Sequence, residues 1–415
     1  MKRGILLSAL VIVLLTSLAV IGCGAPKPTT PTTPTTPTTP TTPGQPTTPT
    51  APAKVIRLKF NESRPPTSSY IRTFVEPWSK LIERESGGRV DIDVYLAETL
   101  VKSGDSYDAV LTGITEITHN PSGRHPGRFP LSEMTVLPFL FESSLTCGLS
   151  MQEALDSGYF GNEFKKEVKG IGFSPNGAAE IVSRTKYIKT LDDWKGLRVQ
   201  AGVGAVQVEM LKLLGAVYLG ITSPEMYEAM QRGLQDVSVR EWEGQSTWRV
   251  YEVAKYRTSG ARMNLSSPQG IYLMNLTTYN NLPADIRAVV DKYSGKWATE
   301  VITANFDREN QWRYQQILDF DKQAGNPPVY NLPAEERNKW RELLKPMEEN
   351  YITNLEKTKG LGAKGTETLA KLKEFSKKYA EMYPPGSDAE YAIWKKYGFE
   401  AVYPGYPKDF IMPAK

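Results

Sequence analysis

Apolar and polar residues alternate at two different periods along this chain, and the period changes with position. Residues 55–60, read Val-Ile-Arg-Leu-Lys-Phe, and residues 90–96 alternate one by one, which predicts half-buried strands. Between them Tyr70, Ile71, Phe74, Val75, Trp78, Leu81 and Ile82 fall at helical spacing, and Gly87-Gly88 ends that helix. A short helix around Tyr107, Val110 and Leu111 precedes a short strand at 114–117, expected to deliver Thr118, His119 and Asn120 to a loop. Residues 137–141 are an apolar loop or strand. Strands are predicted at 180–183, 197–200, 216–219 and 236–240, with helices at 205–214 and 224–232 between them. That alternation argues an α/β fold with largely parallel sheets. The last third reads as long helices over 283–320, 333–357 and 366–382, with Val289, Tyr293 and Trp297 on one apolar face.

The organisation expected is α/β: a two-lobed, periplasmic-binding-protein-like fold with a cleft between the lobes and long C-terminal helices bracing both. Residues 54–175 make mainly lobe I and 176–258 mainly lobe II. Residues 259–383 return to lobe I and supply the bracing helices, and 384–415 form a Tyr-, Pro- and Gly-rich tail packed on the surface. Ligands in open α/β sheets sit beyond the carboxyl ends of the strands, and two lobes let such a cleft close by a hinge.

The N-terminus reads as an address. Lys2 and Arg3 precede an apolar run at 5–20, and Gly22 stands before Cys23. This order fits a secretory signal over residues 1–22, with Cys23 as the lipid-bearing residue of a lipoprotein. The alternative is ordinary cleavage near Ala25. Residues 23–53 are a Thr/Pro-rich stalk, whose regular prolines favour an extended polyproline II chain of ~3.1 Å per residue. The expected location is extracytoplasmic, with the protein held to the membrane through the lipid. With Cys23 lipidated only Cys147 remains, so the fold relies on its core rather than on a disulfide.

Composition narrows the chemistry. The formal charge of +4 falls further once Lys2 and Arg3 are removed, which argues against nucleic acid as a partner. His119 and His125 are the only histidines, so neither a transition-metal centre nor a His-dependent triad is expected, and no cofactor is. No nucleophile elbow or phosphate-cradling glycine loop is present. An enzymatic alternative rests on Glu241 and Glu243, two apart on what reads as a strand, as the paired carboxylates of a stalk-anchored hydrolase. Closely spaced glutamates are more often a solvated surface.

Several segments occur in the order and spacing of one family. They are Ser79-Lys80-Leu81-Ile82-Glu83-Arg84-Glu85-Ser86-Gly87-Gly88, Leu137-Pro138-Phe139-Leu140-Phe141, Leu191-Asp192-Asp193-Trp194-Lys195-Gly196-Leu197, the run from Glu225-Met226-Tyr227-Glu228-Ala229-Met230 through Gln231-Arg232-Gly233-Leu234-Gln235-Asp236, and Tyr251-Glu252-Val253-Ala254-Lys255-Tyr256. Over roughly residues 55–380 the chain resembles the solute-binding proteins of TRAP transporters, the DctP type. The resemblance implies a non-catalytic receptor that captures a small polar solute and hands it to an ion-driven membrane permease. A receptor for another transporter class is the remaining alternative.

In that family the strand after Lys195-Gly196-Leu197 normally ends in an arginine that grips a substrate carboxylate. Here the position is Gln200, an uncharged amide with one donor group and one acceptor. Arg198 shares its strand face but lies ~6.6 Å earlier, and reads as a solvated or structural charge. Some acid-binding relatives carry a second arginine where Glu180 stands. The resemblance therefore predicts a solute other than a simple carboxylate. The residues expected to meet it are Gln200, Glu180, Arg240, Glu241, Trp242, Asn61, Asn120, Tyr70 and, least directly, Arg198. Trp242 has packing as its equal alternative, and Asn176-Gly177 reads as a turn first.

Overall fold

The computed structural model describes residues 54–396 apart from 203, 261–264 and 266–268. The signal segment, Cys23, the stalk and residues 397–415 of the tail lie outside the described residues. Two mixed sheets carry the fold. The first has the order β2-β1-β3-β10-β4, built from β1 (Ile56–Asn61), β2 (Val90–Tyr95), β3 (Ile117–Pro121), β4 (Val168–Phe173) and β10 (Gly270–Asn275). The second has the order β11-β9-β5-β8-β6-β7, built from β5 (Glu180–Ser183), β6 (Arg198–Gln200), β7 (Val217–Tyr218), β8 (Val237–Arg240), β9 (Tyr256–Ser259) and β11 (Tyr330–Asn331).

Neither sheet is largely parallel. β10 runs antiparallel to both β3 and β4, and β5 runs antiparallel to both β8 and β9. These strands follow the points where the chain changes sheet. A strand arriving from the other lobe needs no helical crossover, so it can pair antiparallel. The early strands β1, β2 and β3 are parallel, and the helices between them supply the crossovers that parallel neighbours need.

Around the first sheet lie α1 (Glu76–Glu85), α2 (Ser106–Thr112) and α3 (Ser144–Asp156). Around the second lie α4 (Ala205–Leu213), α5 (Met226–Gln231) and α6 (Trp242–Thr247). Glu241 and Glu243 therefore flank the start of a helix and are not a strand pair. Thr118, His119 and Asn120 lie within β3, which runs on to Pro121, so the loop begins later than the pattern predicts.

The C-terminal portion contains α7 (Leu276–Asn281), α8 (Ala284–Lys292), α9 (Lys296–Ala324), α10 (Ala334–Leu344), α11 (Pro346–Lys359), α12 (Gly362–Met382) and α13 (Asp388–Lys396). The long helix expected over 283–320 is broken at Gly295, whose φ of 62° suits glycine and starts α9 anew. The pattern over 333–357 is likewise divided, with Pro346 opening α11.

The 29-residue α9 touches both lobes. Its first half packs so closely on lobe I that a Cβ on Gly172 would lie 2.8 Å from the Ala298 Cβ, and one on Gly148 would lie 2.5 Å from Thr303 Cγ2. Asp307 then accepts the Ser144 and Leu145 amides at the start of α3, at 2.9 and 2.8 Å. Its second half meets α6, where Asn310 Oδ1 accepts the Glu243 amide at 2.9 Å and Tyr314 packs on Trp242. Trp194 of the signature segment is fully buried, edge-on to Trp340 of α10 at 5.6 Å between ring centroids.

Candidate ligand-binding site

The carboxyl ends of β1, β3, β6 and β8 converge on a cavity of about 120 Å³ between the two sheets. Lobe I supplies Ser63, Arg64, Tyr70, His119, Pro121, Arg124 and Ser174. Lobe II supplies Gln200, Gly202, Ser223, Arg240, Glu241, Glu243, Thr247 and Trp248, and Asn176 lines it from the segment joining them.

On the lobe II side the strand period decides what faces the cavity. Val199 is buried in the core and Gln200, also buried, faces inward. Arg240 ends β8, the strand beside β6. Its Nη2 donates to Gln200 Oε1 and to Ser223 Oγ, both at 3.3 Å. Its Nε has no partner, and no carboxylate among the described residues forms an ion pair with it. Burial lowers the guanidinium from its ordinary value, and Glu241 and Glu243 act to raise it. An arginine nonetheless keeps its proton in a protein.

Glu241 and Glu243 differ in their surroundings. Glu243 Oε1 accepts the Ser69 amide, the Ser69 hydroxyl and the Thr247 hydroxyl, each at 2.8 Å, so it fastens α6 to the segment entering α1. Glu241 Oε1 accepts from Asn176 Nδ2 at 2.8 Å. Burial raises the Glu241 carboxyl, and Arg240 acts against it.

On the lobe I side Arg64 is largely buried. Its Nη1 lies 3.2 Å from Glu62 Oε2, its Nη2 donates to His119 Nε2 at 3.1 Å, and its Cζ sits 3.8 Å over the Tyr70 ring. Burial, the largest influence, acts to lower its pKa, but Glu62 together with Tyr272, Tyr70 and Glu243 holds it above its ordinary value. Burial and the neighbouring Arg64 push His119 well below its usual range, so its ring is neutral. The Tyr70 hydroxyl donates to Pro175 O and Asn176 Oδ1, both at 3.2 Å, and burial raises its pKa well above normal. Arg124, at the turn after β3, has no ion pair or hydrogen bond among the described residues.

Of the expected residues, Gln200, Arg240, Glu241 and Tyr70 line the cavity, and the others do not. Asn61 gives its amide group to Thr118 Oγ1 and accepts from the Val101 amide inside the first lobe. Asn120 packs against Ser106 because β3 continues past it. Glu180 accepts from the Gly260 amide at 3.0 Å. Trp242 lies on Tyr314, with centroids 4.9 Å apart. Arg198 grips Asp236 away from the cavity. Sequence reasoning missed Arg64, Arg124 and His119; Glu243, weighed there as a carboxylate beside Glu241, also lines the cavity. Arg64 was within reach of that reasoning, since it follows β1 by three residues; Arg124 was not, because β3 runs on past the strand predicted at 114–117.

The geometry has close counterparts. The family model for DctP, bacterial extracellular solute-binding protein family 7, matches residues 60–354. The C4-dicarboxylate-binding periplasmic protein DctP of Rhodobacter capsulatus is 25% identical over 298 residues, covering 71% of this chain and 84% of that protein. A TRAP solute-binding protein from Rhodoferax ferrireducens, solved with copurified benzoate, superposes with a TM-score of 0.70 at 26% identity, covering 79% of this chain and 99% of that one. A marine metagenome TRAP solute-binding protein specific for aromatic acids, solved with 3-hydroxybenzoate, gives 0.71 at 26% identity over 79% and 99% of the two chains. With two α/β lobes, a cleft between them and a helix touching both, this chain belongs to the DctP family of bacterial extracellular solute-binding proteins, and is a TRAP-type extracytoplasmic receptor rather than an enzyme.

Proposed function

We propose that this receptor captures a small organic acid in the cleft, with Arg240 as the anchor of its carboxylate, and delivers it to a TRAP-type membrane permease. The observation that carries this reading is the Arg240 guanidinium, 6% exposed and without a carboxylate partner among the described residues. A buried charge is costly unless a counter-charge meets it, and a guanidinium receives a carboxylate through two parallel hydrogen bonds. Arg124, equally unpaired, reaches the same cavity from the other lobe. The similar receptors that hold benzoate and 3-hydroxybenzoate support an acid as ligand.

This replaces the expectation drawn from Gln200. The position has lost its arginine, but the neighbouring strand supplies one. Gln200 then orients Arg240 through its carbonyl oxygen and keeps its amide nitrogen for the ligand. Tyr70 and Glu241 are assigned to the ligand with it; Asn61, Asn120, Glu180, Trp242 and Arg198 support the walls.

Thermal-shift and calorimetric screening against small acids and neutral polyols tests the reading. Acids should raise the melting temperature of the wild type by mass action, and Arg240→Gln should weaken them by about a hundredfold. Acid binding that survives Arg240→Gln unchanged, or a response to polyols alone, overturns it. The anchor on Cys23 is part of the same proposal. The mature N-terminal peptide should carry lipid by mass spectrometry, and Cys23→Ala should release the protein from the membrane.

A further inference from the structure

Arg240 and Glu241 are consecutive residues whose head groups part. The guanidinium runs along lobe II to Gln200 and Ser223, and the carboxylate turns to Asn176. Gly244 makes the fork possible. A Cβ there would lie 2.5 Å from Glu241 Oε1 and 2.7 Å from Arg240 Cδ, so both stems pass through space that only glycine leaves open. The two charges form no ion pair with each other. The cavity therefore has an anion-accepting end and, beside it, an acceptor-rich end.

The two acidic residues of that second end are not equivalent. Glu243 is occupied by hydroxyl and amide donors from Ser68, Ser69 and Thr247. Glu241, 2% exposed, has Asn176 as its only side-chain partner among the described residues. A carboxylate offers about four acceptor positions, and leaving them empty in a buried site is unfavourable. Asn176 holds Glu241 in place without filling it.

We infer that the ligand is a small carboxylate bearing a hydrogen-bond donor, hydroxyl or ammonium, close to its acid group, and that Glu241 is the residue that receives this donor. The inference rests on the acid reading above and adds to it a requirement that Arg240 alone does not impose. A plain acid would satisfy the guanidinium and leave Glu241 with Asn176 alone, its remaining acceptor positions unfilled. Burial raises the Glu241 carboxyl, consistent with a group still lacking its donor.

Two matched triads separate the possibilities: propionate, lactate and alanine, and phenylacetate, mandelate and phenylglycine. Dissociation constants for each are measured by calorimetry on the wild type and on Glu241→Gln, which keeps shape and an acceptor for Asn176. The donor-bearing member of at least one triad should bind at least about tenfold more tightly than its plain acid. Glu241→Gln should erase most of that preference. A preference for the amino acid that collapses in the variant identifies ammonium as the donor; one for the hydroxy acid that collapses identifies hydroxyl. Plain acids that bind within twofold of both analogues, or a preference that persists in Glu241→Gln, overturn the inference while leaving the acid receptor standing. If every acid fails to bind the wild type, both fall together. Folding of the variant is read separately from its ligand-free melting curve.

Discussion

Arg198 holds Asp236 through both carboxylate oxygens, with Nε 2.9 Å from Oδ2 and Nη2 2.8 Å from Oδ1. The same Asp236 Oδ2 accepts the Arg198 backbone amide at 3.0 Å, so the pair ties the start of β6 to the turn that leads into β8. The arginine two residues before Gln200 is thereby committed to joining strands.

Replacing Arg198 by alanine should therefore leave acid affinity within about twofold of wild type, because the residue is screened and remote from the ligand. Its effect belongs in the melting curve of the ligand-free protein. The Asp236 carboxyl is held below its ordinary range mainly by its hydrogen bonds from Arg198. A depressed carboxyl stabilises the fold above the unfolded pKa and loses that effect as pH falls through the folded one. Acid unfolding should accordingly begin at higher pH in Arg198→Ala. A large loss of affinity in this variant would contradict the division of roles between Arg198 and Arg240.

Gln200 should act through Arg240. Removing its carbonyl with Gln200→Ala leaves the guanidinium to Ser223 and should weaken acids by about three- to tenfold, the size of one hydrogen bond. Gln200→Arg should lower the ligand-free melting temperature by setting two guanidiniums side by side. Added acid should then restore more stability than it gives the wild type. Calorimetry and thermal shift on the two variants read both effects. An arginine at 200 that raises ligand-free stability would show that the local field is not cationic.

The approach of α9 to lobe I depends on two glycines. Gly172→Ala and Gly148→Ala should each destabilise by about 1–3 kcal/mol, because the new methyl meets Ala298 or Thr303 in a packed core. Denaturant unfolding monitored by tryptophan fluorescence gives the figure. Acid affinity measured well below the melting point should change little, since both positions lie outside the cavity. A neutral result at either position would mean that α9 can shift without loss.

Glu163 offers a pH test away from the ligand. Its carboxyl accepts the Leu131 and Ser132 amides at 2.7 and 3.0 Å, and burial nonetheless pushes its pKa up to about 7. The folded state thus keeps this proton longer than the unfolded state, whose value is about 4.3. The resulting contribution is complete below that lower value and declines as pH rises toward about 7. Unfolding free energies taken between those limits should fall less steeply in Glu163→Gln than in wild type. Parallel slopes would remove Glu163 from the pH dependence.

The sequence by itself determined the two-lobed α/β class, seven of the strands and the family, because these follow from apolar periodicity and from short segments read in order; β4, β9, β10 and β11 were not predicted. It also separated Val199 from Gln200, since a strand alternates its faces whatever surrounds it. The breaks at Gly295 and Pro346 were local signals that the longer helical pattern overrode. Only the tertiary structure decided the site. β3 runs on to Pro121 through its pairing with β10, which takes Asn120 into the lobe and leaves Arg124 at the edge. The role of Arg240 was invisible from its own segment, because it depends on β8 lying beside β6, 40 residues apart in sequence at the Gln200 contact. A charge lost at one position and supplied from the next strand is a relation across the sheet, and hydrophobic periodicity carries no information about which strands are neighbours.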